Sequence, residues 1–552
     1  MRRMLERLSI AATCVLFLFA GDAGMLAGPA QPAAPSPKLV VVIAVDQMRA
    51  DYLTRYGSLF QHGLTRLMKE GAWYRKAAYP YLSTVTCAGH STIGTGQLPY
   101  HHGMILNAWY DRATGKSEAC TEDASVKDIS YSGQTSSGDS PHHMEVPTLA
   151  ELMRKQTQAR VVTMSLKARS AIGLAGHDAD GVLWFDGRGS WSSSTAYPAA
   201  PPAFMADWVH AHPVAADAGK VWDRTLPASR YQNSDDMPGE RASGSWTTVF
   251  PHPLGDTSDR FFYAHWEESP FADEYLERMA EAAVDALHLG HGDGTDFLGV
   301  SFSTLDIIGH SFGPRSQEVQ DELVRLDATL GRLLAYLDEH VGAGQYVLGF
   351  TADHGVADIP EQVHEGGRES SRDITNAING ALKHDFGDGP FVAASAYTDL
   401  YFAPGIYERL QQDPKAMKAV INALRHEPGI ARVLRAEEIS TPDAAQSKDP
   451  EIRAAALSYY PGRSGDLILI PREGWLLGGG ATTHGTLYSY DQRVPLILFG
   501  DGIRPGVHDD PSMPPDVVAT LASIIHLTLP ATDGHVLQSA LALGAGAGAG
   551  GR

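Results

Sequence analysis

Residues 39–46 read LVVVIAVD, an unbroken apolar run that ends in an aspartate. β-branched residues dominate the run, and no polar residue alternates with them. This pattern is typical of a strand that is buried on both faces of a parallel sheet. Further apolar runs at residues 160–166, 297–303 and 346–351 predict more strands of this kind.

Helical patterns lie between these runs. The clearest spans residues 319–337, where six valine and leucine residues recur in steps of three and four and form one apolar stripe. Other helices are predicted at residues 55–69, 148–156, 272–287, 416–426 and 515–527, and other strands at 466–470 and 494–499. Strands that alternate with helices predict an α/β fold, namely a doubly wound, mostly parallel sheet flanked by helices.

The ends of the chain differ from its middle. Residues 1–23 predict a signal peptide with an uncertain cleavage site, because three arginines flank an apolar run too short to span a bilayer. An N-terminal anchor helix is the alternative. Residues 24–37 predict a flexible spacer, and residues 531–552 a C-terminal tail that is disordered from about residue 544. The remaining residues, 38–530, predict one catalytic domain with inserted cap segments near 186–270 and 358–395.

The composition restricts the class of protein. The 552 residues carry a formal net charge of −21, which argues against nucleic acid as a held partner because phosphate backbones need clustered lysine and arginine. A small phosphorylated substrate remains compatible, since local cations can override the global field. After signal removal no stretch is long and apolar enough to span a membrane, so we expect an exported protein of the periplasm or extracellular space. The composition leaves monomer and homodimer open.

Two cysteines, Cys87 and Cys120, lie in the predicted mature chain. An exported compartment is oxidising, so one disulfide between them is possible. Two unpaired thiols are the alternative, and the sequence does not decide between them.

Metal-ligating residue types follow several predicted strands. Aspartate and histidine occur there in pairs or singly, and the candidates are Asp46, Asp306, His310, Asp353, His354 and His484. In open α/β sheets the working site forms beyond the carboxyl ends of the strands, so we expect these side chains to converge. Three aspartates and three histidines suit two divalent metals and favour Zn²⁺ over Mg²⁺, with Mn²⁺ as an alternative.

The candidate nucleophile lies in residues 78–111, AYPYLSTVTCAGHSTIGTGQLPYHHGMILNAWYD. Thr86 precedes a turn of small residues, Ala88-Gly89-His90, which is a plausible place to expose a hydroxyl at a strand-to-helix junction. Asn107, 107 − 86 = 21 residues on, has an amide that could meet an oxyanion.

Lys167 and Arg169 follow the strand predicted at 160–166 with one residue between them. If strand alternation continues, both side chains point to the same side. A phosphomonoester has two negative charges and three terminal oxygens, which suit a lysine beside an arginine fork better than a diester does.

The order of these motifs resembles the alkaline phosphatase superfamily, in the branch shared with type I phosphodiesterases and nucleotide pyrophosphatases. The most specific parts are Val-Thr-Cys-Ala-Gly-His at 85–90 and Thr-Ala-Asp-His-Gly at 351–355, and the similarity runs from about residue 38 to 530. Lys-x-Arg at 167–169 resembles the pair in bacterial Thr-nucleophile alkaline phosphatases of the phosphate-irrepressible type.

The resemblance implies a hydrolase of small phosphate monoesters with two Zn²⁺ per subunit and a covalent phospho-threonine at Thr86. One zinc would bind the Thr86 oxygen and three side chains, and the other zinc three more. By motif the first set is Asp46, Asp353 and His354, and the second is Asp306, His310 and His484. Asn107, Lys167 and Arg169 would bind the phosphoryl group.

The chain also departs from the superfamily. Its best-known members use serine with an arginine and a third, magnesium site, whereas threonine is the candidate here and the sequence shows no third-metal cluster. The nearest alternative is a phosphodiesterase or nucleotide pyrophosphatase on the same scaffold, and a non-catalytic phosphate-binding relic is another. A sulfatase is disfavoured, because Thr86 stands where a modifiable cysteine or serine is expected.

Overall fold

The computed structural model describes residues 36–542. The predicted signal peptide, nearly all of the predicted spacer and residues 543–552 of the predicted tail lie outside the described residues. Between residues 36 and 542, no helix combines the length and the apolar character that crossing a bilayer requires.

The strands of the described part are numbered in chain order. They are β1 (Leu39–Val45), β2 (Ala72–Tyr74), β3 (Ala108–Asp111), β4 (Lys116–Ala119), β5 (Glu122–Ser130), β6 (Thr135–Asp139), β7 (Val161–Ser165), β8 (Gly181–Phe185), β9 (Trp191–Ser194), β10 (Val221–Trp222), β11 (His252–Pro253), β12 (Asp296–Phe302), β13 (Tyr346–Thr351), β14 (Gly367–Glu369), β15 (Val392–Ala396), β16 (Asp399–Phe402), β17 (Ile430–Arg435), β18 (Leu467–Pro471), β19 (Trp475–Leu477), β20 (Leu496–Gly500) and β21 (Gly506–His508).

The α-helices of the same part are numbered likewise. They are α1 (Tyr52–Arg55), α2 (Gly63–Glu70), α3 (Thr86–Thr95), α4 (Pro99–His102), α5 (Leu149–Thr157), α6 (Ala168–Ala175), α7 (Ala206–Ala211), α8 (Phe262–Glu267), α9 (Pro270–Leu287), α10 (Thr304–Phe312), α11 (Gln317–Leu337), α12 (Ser371–Phe386), α13 (Ile406–Gln412), α14 (Pro414–His426), α15 (Ala436–Ile439), α16 (Pro450–Ser458), α17 (Ser489–Gln492) and α18 (Pro515–Ile524).

The central sheet has the strand order β21-β2-β20-β13-β1-β12-β7-β8-β9-β5-β6. Its middle strands β13, β1, β12, β7 and β8 run parallel, whereas β20 on one side and β9 on the other are antiparallel to their parallel neighbours. The sheet is therefore parallel at its centre and mixed at its edges. The predicted α/β fold is confirmed.

Helices cover both faces of this sheet. Alternate residues of β1 point to opposite faces, so Val41 and Ile43 belong to one hydrophobic cluster with Leu326 of α11, whereas Val42 belongs to another with Val518 of α18. Every residue of β1 is buried, as an unbroken apolar run requires. The layered arrangement explains why the strand shows no polar alternation.

A second, antiparallel sheet has the order β15-β16-β18-β17. Its apolar side packs on α12, α13 and α14, and these elements have a hydrophobic core of their own. The strand that we predicted at 466–470 is β18 and belongs to this sheet. The interpretation of that segment as another strand of the central sheet is wrong, because a short apolar run does not reveal which neighbours it pairs with.

The predicted helix at 55–69 is also wrong as a single element. The chain instead forms α1 and α2, with non-helical backbone at residues 56–62. The Asp327 carboxylate of α11 accepts hydrogen bonds from the N–H groups of Gln61, His62 and Leu64, at 2.7 to 2.9 Å. A buried acceptor from another helix thus fixes the start of α2, and periodicity cannot show such a tertiary contact.

Candidate active site

Side chains from neighbouring strands meet at one edge of the central sheet. Because β13, β1 and β12 are adjacent and parallel, the residues that follow them leave the sheet at the same edge. Asp353, Asp46 and Asp306 follow these three strands. Lys167 follows β7, the next parallel strand, and reaches two of the three carboxylates.

His484 reaches this edge by a route that we did not predict. The two strands before it are β18, which belongs to the second sheet, and β19, which pairs with β14 in a two-stranded sheet, so His484 does not follow a strand of the central sheet. It precedes β20, which runs antiparallel to β13, with Leu496 paired to Thr351. The amino end of β20 therefore lies beside the carboxyl end of β13, and the segment before β20, which includes α17, carries His484 to the other ligands.

Asp46, Asp353 and His354 form a group that we call the first cluster. One ligand atom of each lies within 4.8 Å of the others. His354 Nε2 is 3.4 Å from Asp46 Oδ1 and 3.2 Å from Asp353 Oδ2. All three atoms are buried and have no hydrogen-bond partner among the described residues. Buried, unpartnered atoms that converge on one point are what a metal ion would satisfy.

Asp306, His310 and His484 form the second cluster, again with one ligand atom of each within 4.8 Å of the others. Asp306 and His310 lie one helical turn apart on α10. Asp306 Oδ1 is 3.3 Å from His310 Nε2 and 3.7 Å from His484 Nε2. The six predicted ligands thus lie in two groups, each with carboxylate and imidazole donors.

Backbone carbonyl oxygens fix the tautomer of all three histidines in the clusters. In each, Nδ1 lies at hydrogen-bond distance from a carbonyl oxygen. The pairs are His310 with Thr482 (3.0 Å), His354 with Gly355 (2.9 Å) and His484 with Thr84 (2.9 Å). A carbonyl oxygen only accepts, so Nδ1 carries the hydrogen, and in the neutral imidazole Nε2 presents its lone pair to the cluster. This is the tautomer that a metal-binding imidazole needs.

Burial and like charge make the carboxylates costly to ionise together. Burial raises the pKa of Asp46 well above its ordinary value, and the carboxylates of Asp306 and Asp353 raise it further. Burial would also raise the pKa of Asp306, but Lys167 and His310 bring it well below its ordinary value. Lys167 Nζ donates to Asp46 Oδ2 at 2.5 Å and to Asp306 Oδ2. One ammonium among three buried carboxylates leaves a negative site that divalent cations would stabilise.

Lys167 and Arg169 stand at the start of α6 and not on a strand. We expected strand alternation to point both side chains to one side, and that reason is wrong, because β7 ends at Ser165 and α6 begins at Ala168. Burial lowers the pKa of Lys167, but the carboxylates of Asp306 and Asp46 raise it, and the net result lies above the ordinary value. The Arg169 cation opposes this rise. The two cations are therefore close enough to interact. Arg169 is partly exposed, and its Nε has no hydrogen-bond partner in the described chain.

Thr86 is the first residue of α3 and is buried. The turn that we predicted at residues 88–90 is wrong, because these residues belong to α3, and residues 83–85 before Thr86 are not a strand. Two contacts tie the first turn of this helix to the first cluster. His90 Nδ1 lies 3.0 Å from the carbonyl oxygen of Thr86 and 3.2 Å from Asp353 Oδ2. Gly89 lies against the backbone of Asp353, where a Cβ on Gly89 would be 2.3 Å from the carbonyl oxygen of that residue. The candidate nucleophile thus belongs to a turn that packs directly on a predicted ligand.

Gly89→Ala is expected to lower the affinity of the first cluster for Zn²⁺, the ion predicted from the sequence, by about tenfold. Substitutions that disturb the residues supporting a metal ligand have effects of this size. The new methyl group must push α3 and Asp353 apart. Isothermal titration with Zn²⁺ measures the affinity. Gly380→Ala is the matched control, because a Cβ on Gly380 of α12 meets nothing within 4 Å. An affinity of Gly89→Ala within twofold of the parent protein contradicts the close packing.

Asn107 lies just before β3 and is hydrogen bonded to the residue after Thr86. Asn107 Oδ1 accepts from the N–H group of Cys87 at 2.8 Å. Cys87 also forms a disulfide with Cys120, with Cα atoms 6.6 Å apart. Of the two cysteine states that the sequence left open, the structure therefore has the disulfide.

Sequence reasoning missed two side chains of this region. The Gln47 N–H donates to Asp353 Oδ1 at 3.0 Å, and Gln47 Nε2 donates to Asp306 Oδ1 at 2.6 Å, so one residue contacts both clusters. The Tyr397 hydroxyl accepts from Asn107 Nδ2 at 2.9 Å. Gln47 was detectable from its place beside a predicted ligand. No local signal marks Tyr397, which lies in the turn between β15 and β16 of the second sheet.

A third group of metal-ligating residue types lies apart from the two clusters. It consists of Glu118, His142 and His143, whose ligand atoms lie within 4.8 Å of one another. The guanidinium of Arg463 donates to the carbonyl oxygen of His143 at 2.6 Å. A fixed cation beside the group opposes the binding of another cation, so we assign no metal there.

Comparison with known proteins places the chain among phosphate-ester hydrolases. Residues 40–492 match the family model described as type I phosphodiesterase / nucleotide pyrophosphatase. The chain is 33% identical over 523 residues to the alkaline phosphatase PafA of Elizabethkingia meningoseptica, covering 92% of this chain and 95% of PafA. It is 32% identical over 507 residues to the alkaline phosphatase PhoV of Synechococcus elongatus, covering 90% of this chain and 91% of PhoV.

Solved structures show the same relationship. The crystal structure of wild-type PafA superposes with a TM-score of 0.85 at 32% identity, covering 92% of this chain and 100% of that chain. Murine ectonucleotide pyrophosphatase / phosphodiesterase 5 superposes with a TM-score of 0.53 at 15% identity, covering 91% of this chain and 100% of that chain. The second similarity is one of fold alone.

Proposed function

Because the chain belongs to the type I phosphodiesterase / nucleotide pyrophosphatase family, we propose that it is an alkaline phosphatase, which hydrolyses phosphate monoesters to inorganic phosphate and an alcohol. Relatives named alkaline phosphatase that match about nine tenths of the chain support this activity. The observation that carries the proposal is the contact of Lys167 with one carboxylate of each cluster. It puts a cation between the two candidate metal sites, where a dianionic phosphoryl group would lie.

Two Zn²⁺ ions, one at each cluster, are the proposed cofactors. The unpartnered atoms Asp46 Oδ1, Asp353 Oδ2 and His354 Nε2 are a donor set that leaves a tetrahedral ion one open position. Imidazole donors favour Zn²⁺ over Mg²⁺, and Mn²⁺ is the alternative. When bound, the ions would supply Lewis-acid chemistry, which lowers the pKa of a coordinated hydroxyl and stabilises negative charge on a departing oxygen.

Thr86 is the proposed nucleophile. Its Oγ1 loses its proton and attacks phosphorus in line, the bond from phosphorus to the ester oxygen breaks, and that oxygen takes up a proton and leaves as the alcohol. Water then attacks the phospho-threonine, so that inorganic phosphate departs and the Thr86 hydroxyl is restored. The amino end of α3 favours the negative charge that this residue would carry.

Asn107, Lys167 and Arg169 are the proposed phosphoryl-binding residues. The Asn107 amide would donate to a nonbridging oxygen, and the two cations would neutralise the terminal oxygens. A phosphomonoester presents two charges to them, whereas a diester presents one charge and an additional alkyl group. The pair of cations therefore favours monoesters over diesters.

Replacing both Lys167 and Arg169 with alanine is expected to lower kcat/KM for p-nitrophenyl phosphate about hundredfold, the size of two lost charge-assisted hydrogen bonds. The loss for bis-p-nitrophenyl phosphate should be much smaller, because a diester has less charge to bind. Initial rates on both esters, with metal content measured in parallel, test this expectation.

The matched control replaces Lys415 and Lys418, two exposed lysines on α14, and should leave both rates unchanged. Equal losses on the two esters would favour a phosphodiesterase or nucleotide pyrophosphatase. A zinc-loaded parent protein that hydrolyses neither ester would support a non-catalytic phosphate-binding relic.

The proposed place of action is outside the cytoplasm. Disulfides persist in oxidising compartments, and the bond between Cys87 and Cys120 supports export. Export is also what the predicted signal peptide at residues 1–23 implies, although those residues lie outside the described part. The proposed partners are small phosphomonoesters and not nucleic acid.

A further inference from the structure

Three hydrogen bonds hold Asn107 from three directions. Its Oδ1 accepts from the N–H group of Cys87 at 2.8 Å, and its backbone carbonyl oxygen accepts from the N–H group of Cys120 at 3.0 Å. Its Nδ2 donates to the Tyr397 hydroxyl at 2.9 Å. Oδ1 accepts from the N–H group of Cys87. If the amide were flipped, its NH₂ group would face that N–H group, and two donors would oppose each other. One hydrogen of Nδ2 then remains for a ligand.

Two of the three residues that form hydrogen bonds with Asn107 are joined covalently. Cys87 and Cys120 form the disulfide, so one bond links the first turn of α3 to the chain that follows β4. Both residues that hold Asn107 through backbone N–H groups are thereby fixed relative to each other. Cys87 and Cys120 are also buried, whereas Asn107 between them and Tyr397 is half-buried.

Tyr397 comes from a different part of the fold. It lies in the turn between β15 and β16 of the second sheet and has φ of 52°, a left-handed conformation that is rare for a bulky residue. Its ring lies beside Gly485, where a Cβ would be 3.2 Å from Tyr397 Cδ1 and equally close to Val85. Burial raises the pKa of the Tyr397 hydroxyl, and the hydroxyl oxygen accepts from the amide.

We propose that Tyr397 and the Cys87–Cys120 disulfide are positioning elements for Asn107, so that the second sheet and the disulfide both act on phosphoryl binding through this one amide. Neither element has to touch the substrate. The proposal rests on the proposed function, in which Asn107 binds a nonbridging phosphoryl oxygen. It extends that function by assigning a role to the second sheet and to the disulfide.

A double-mutant cycle tests the proposal. In the parent enzyme, Tyr397→Phe is expected to lower kcat/KM for p-nitrophenyl phosphate about threefold to tenfold, the factor that one hydrogen bond contributes. In an Asn107→Ala background the same substitution should change the rate less than about twofold, because the group that it positions is gone. The double variant Cys87→Ala, Cys120→Ala should show the same pattern.

Tyr407→Phe is the matched control, since Tyr407 is a tyrosine beside the second sheet whose hydroxyl contacts Glu437 and not Asn107. It should leave the rate unchanged in both backgrounds, and all variants should keep the metal content of the parent. Equal losses from Tyr397→Phe with and without Asn107 would overturn the positioning role alone. If Asn107→Ala itself leaves monoester hydrolysis unchanged, the role of Asn107 in the proposed function fails instead.

Discussion

Thr86→Ala is expected to lower kcat/KM for p-nitrophenyl phosphate by at least about 10⁴-fold, because removing a nucleophile removes the covalent route as a whole. The hydroxyl of Thr86 is buried at the amino end of α3, beside a turn that contacts Asp353. Alanine keeps the backbone and the first turn of α3, so the loss should come from chemistry and not from folding. Steady-state rates and thermal unfolding of both proteins distinguish the two.

Thr86→Ser is the matched control, because it retains a hydroxyl and loses only a methyl group. It should keep activity within about a hundredfold of the parent, since serine can form the same phosphate ester. Intact-mass measurement after acid quenching during turnover should find one phosphoryl group on the parent and on Thr86→Ser, and none on Thr86→Ala. A Thr86→Ala enzyme within tenfold of the parent rate would show that another group attacks phosphorus.

Removing the metal ions is expected to lower the rate by at least about 10³-fold, because Lewis-acid stabilisation contributes several kcal/mol to such reactions. The two clusters place three buried carboxylates and three imidazole lone pairs around one site. Without divalent ions, Lys167 forms ion pairs with Asp46 and Asp306, which leaves the three carboxylates only partly neutralised. Dialysis against a chelator, followed by titration with Zn²⁺, should restore turnover at about two equivalents per chain.

His484→Ala and His143→Ala form a matched pair for this experiment. His484 belongs to the second cluster, and its loss should reduce both the zinc content and the rate. His143 belongs to the group beside Arg463, and its loss should change neither. Full turnover after the zinc content has fallen below a tenth of its starting value would exclude the two-metal proposal.

Local patterns determined much of this protein. The apolar run before Asp46 predicted a fully buried parallel strand, since a strand between two helical layers has no solvated face. Adjacent parallel strands end at one edge, so Asp46, Asp306 and Asp353 had to converge once their strands were neighbours. The four-residue spacing of Asp306 and His310 likewise places both on one face of a helix. These conclusions depend only on periodicity and on the geometry of regular elements.

Contacts between distant parts of the chain decided the rest. His484 arrives through an antiparallel strand that pairs with β13, and Tyr397 arrives from a separate sheet. The break between α1 and α2 depends on Asp327, whose carboxylate caps α2 from more than 260 residues away. The pairing of Cys87 with Cys120 was one of two states that the sequence allowed equally. Strand pairing, capping by remote residues and disulfide choice are set by which surfaces pack together, and no local pattern contains that information.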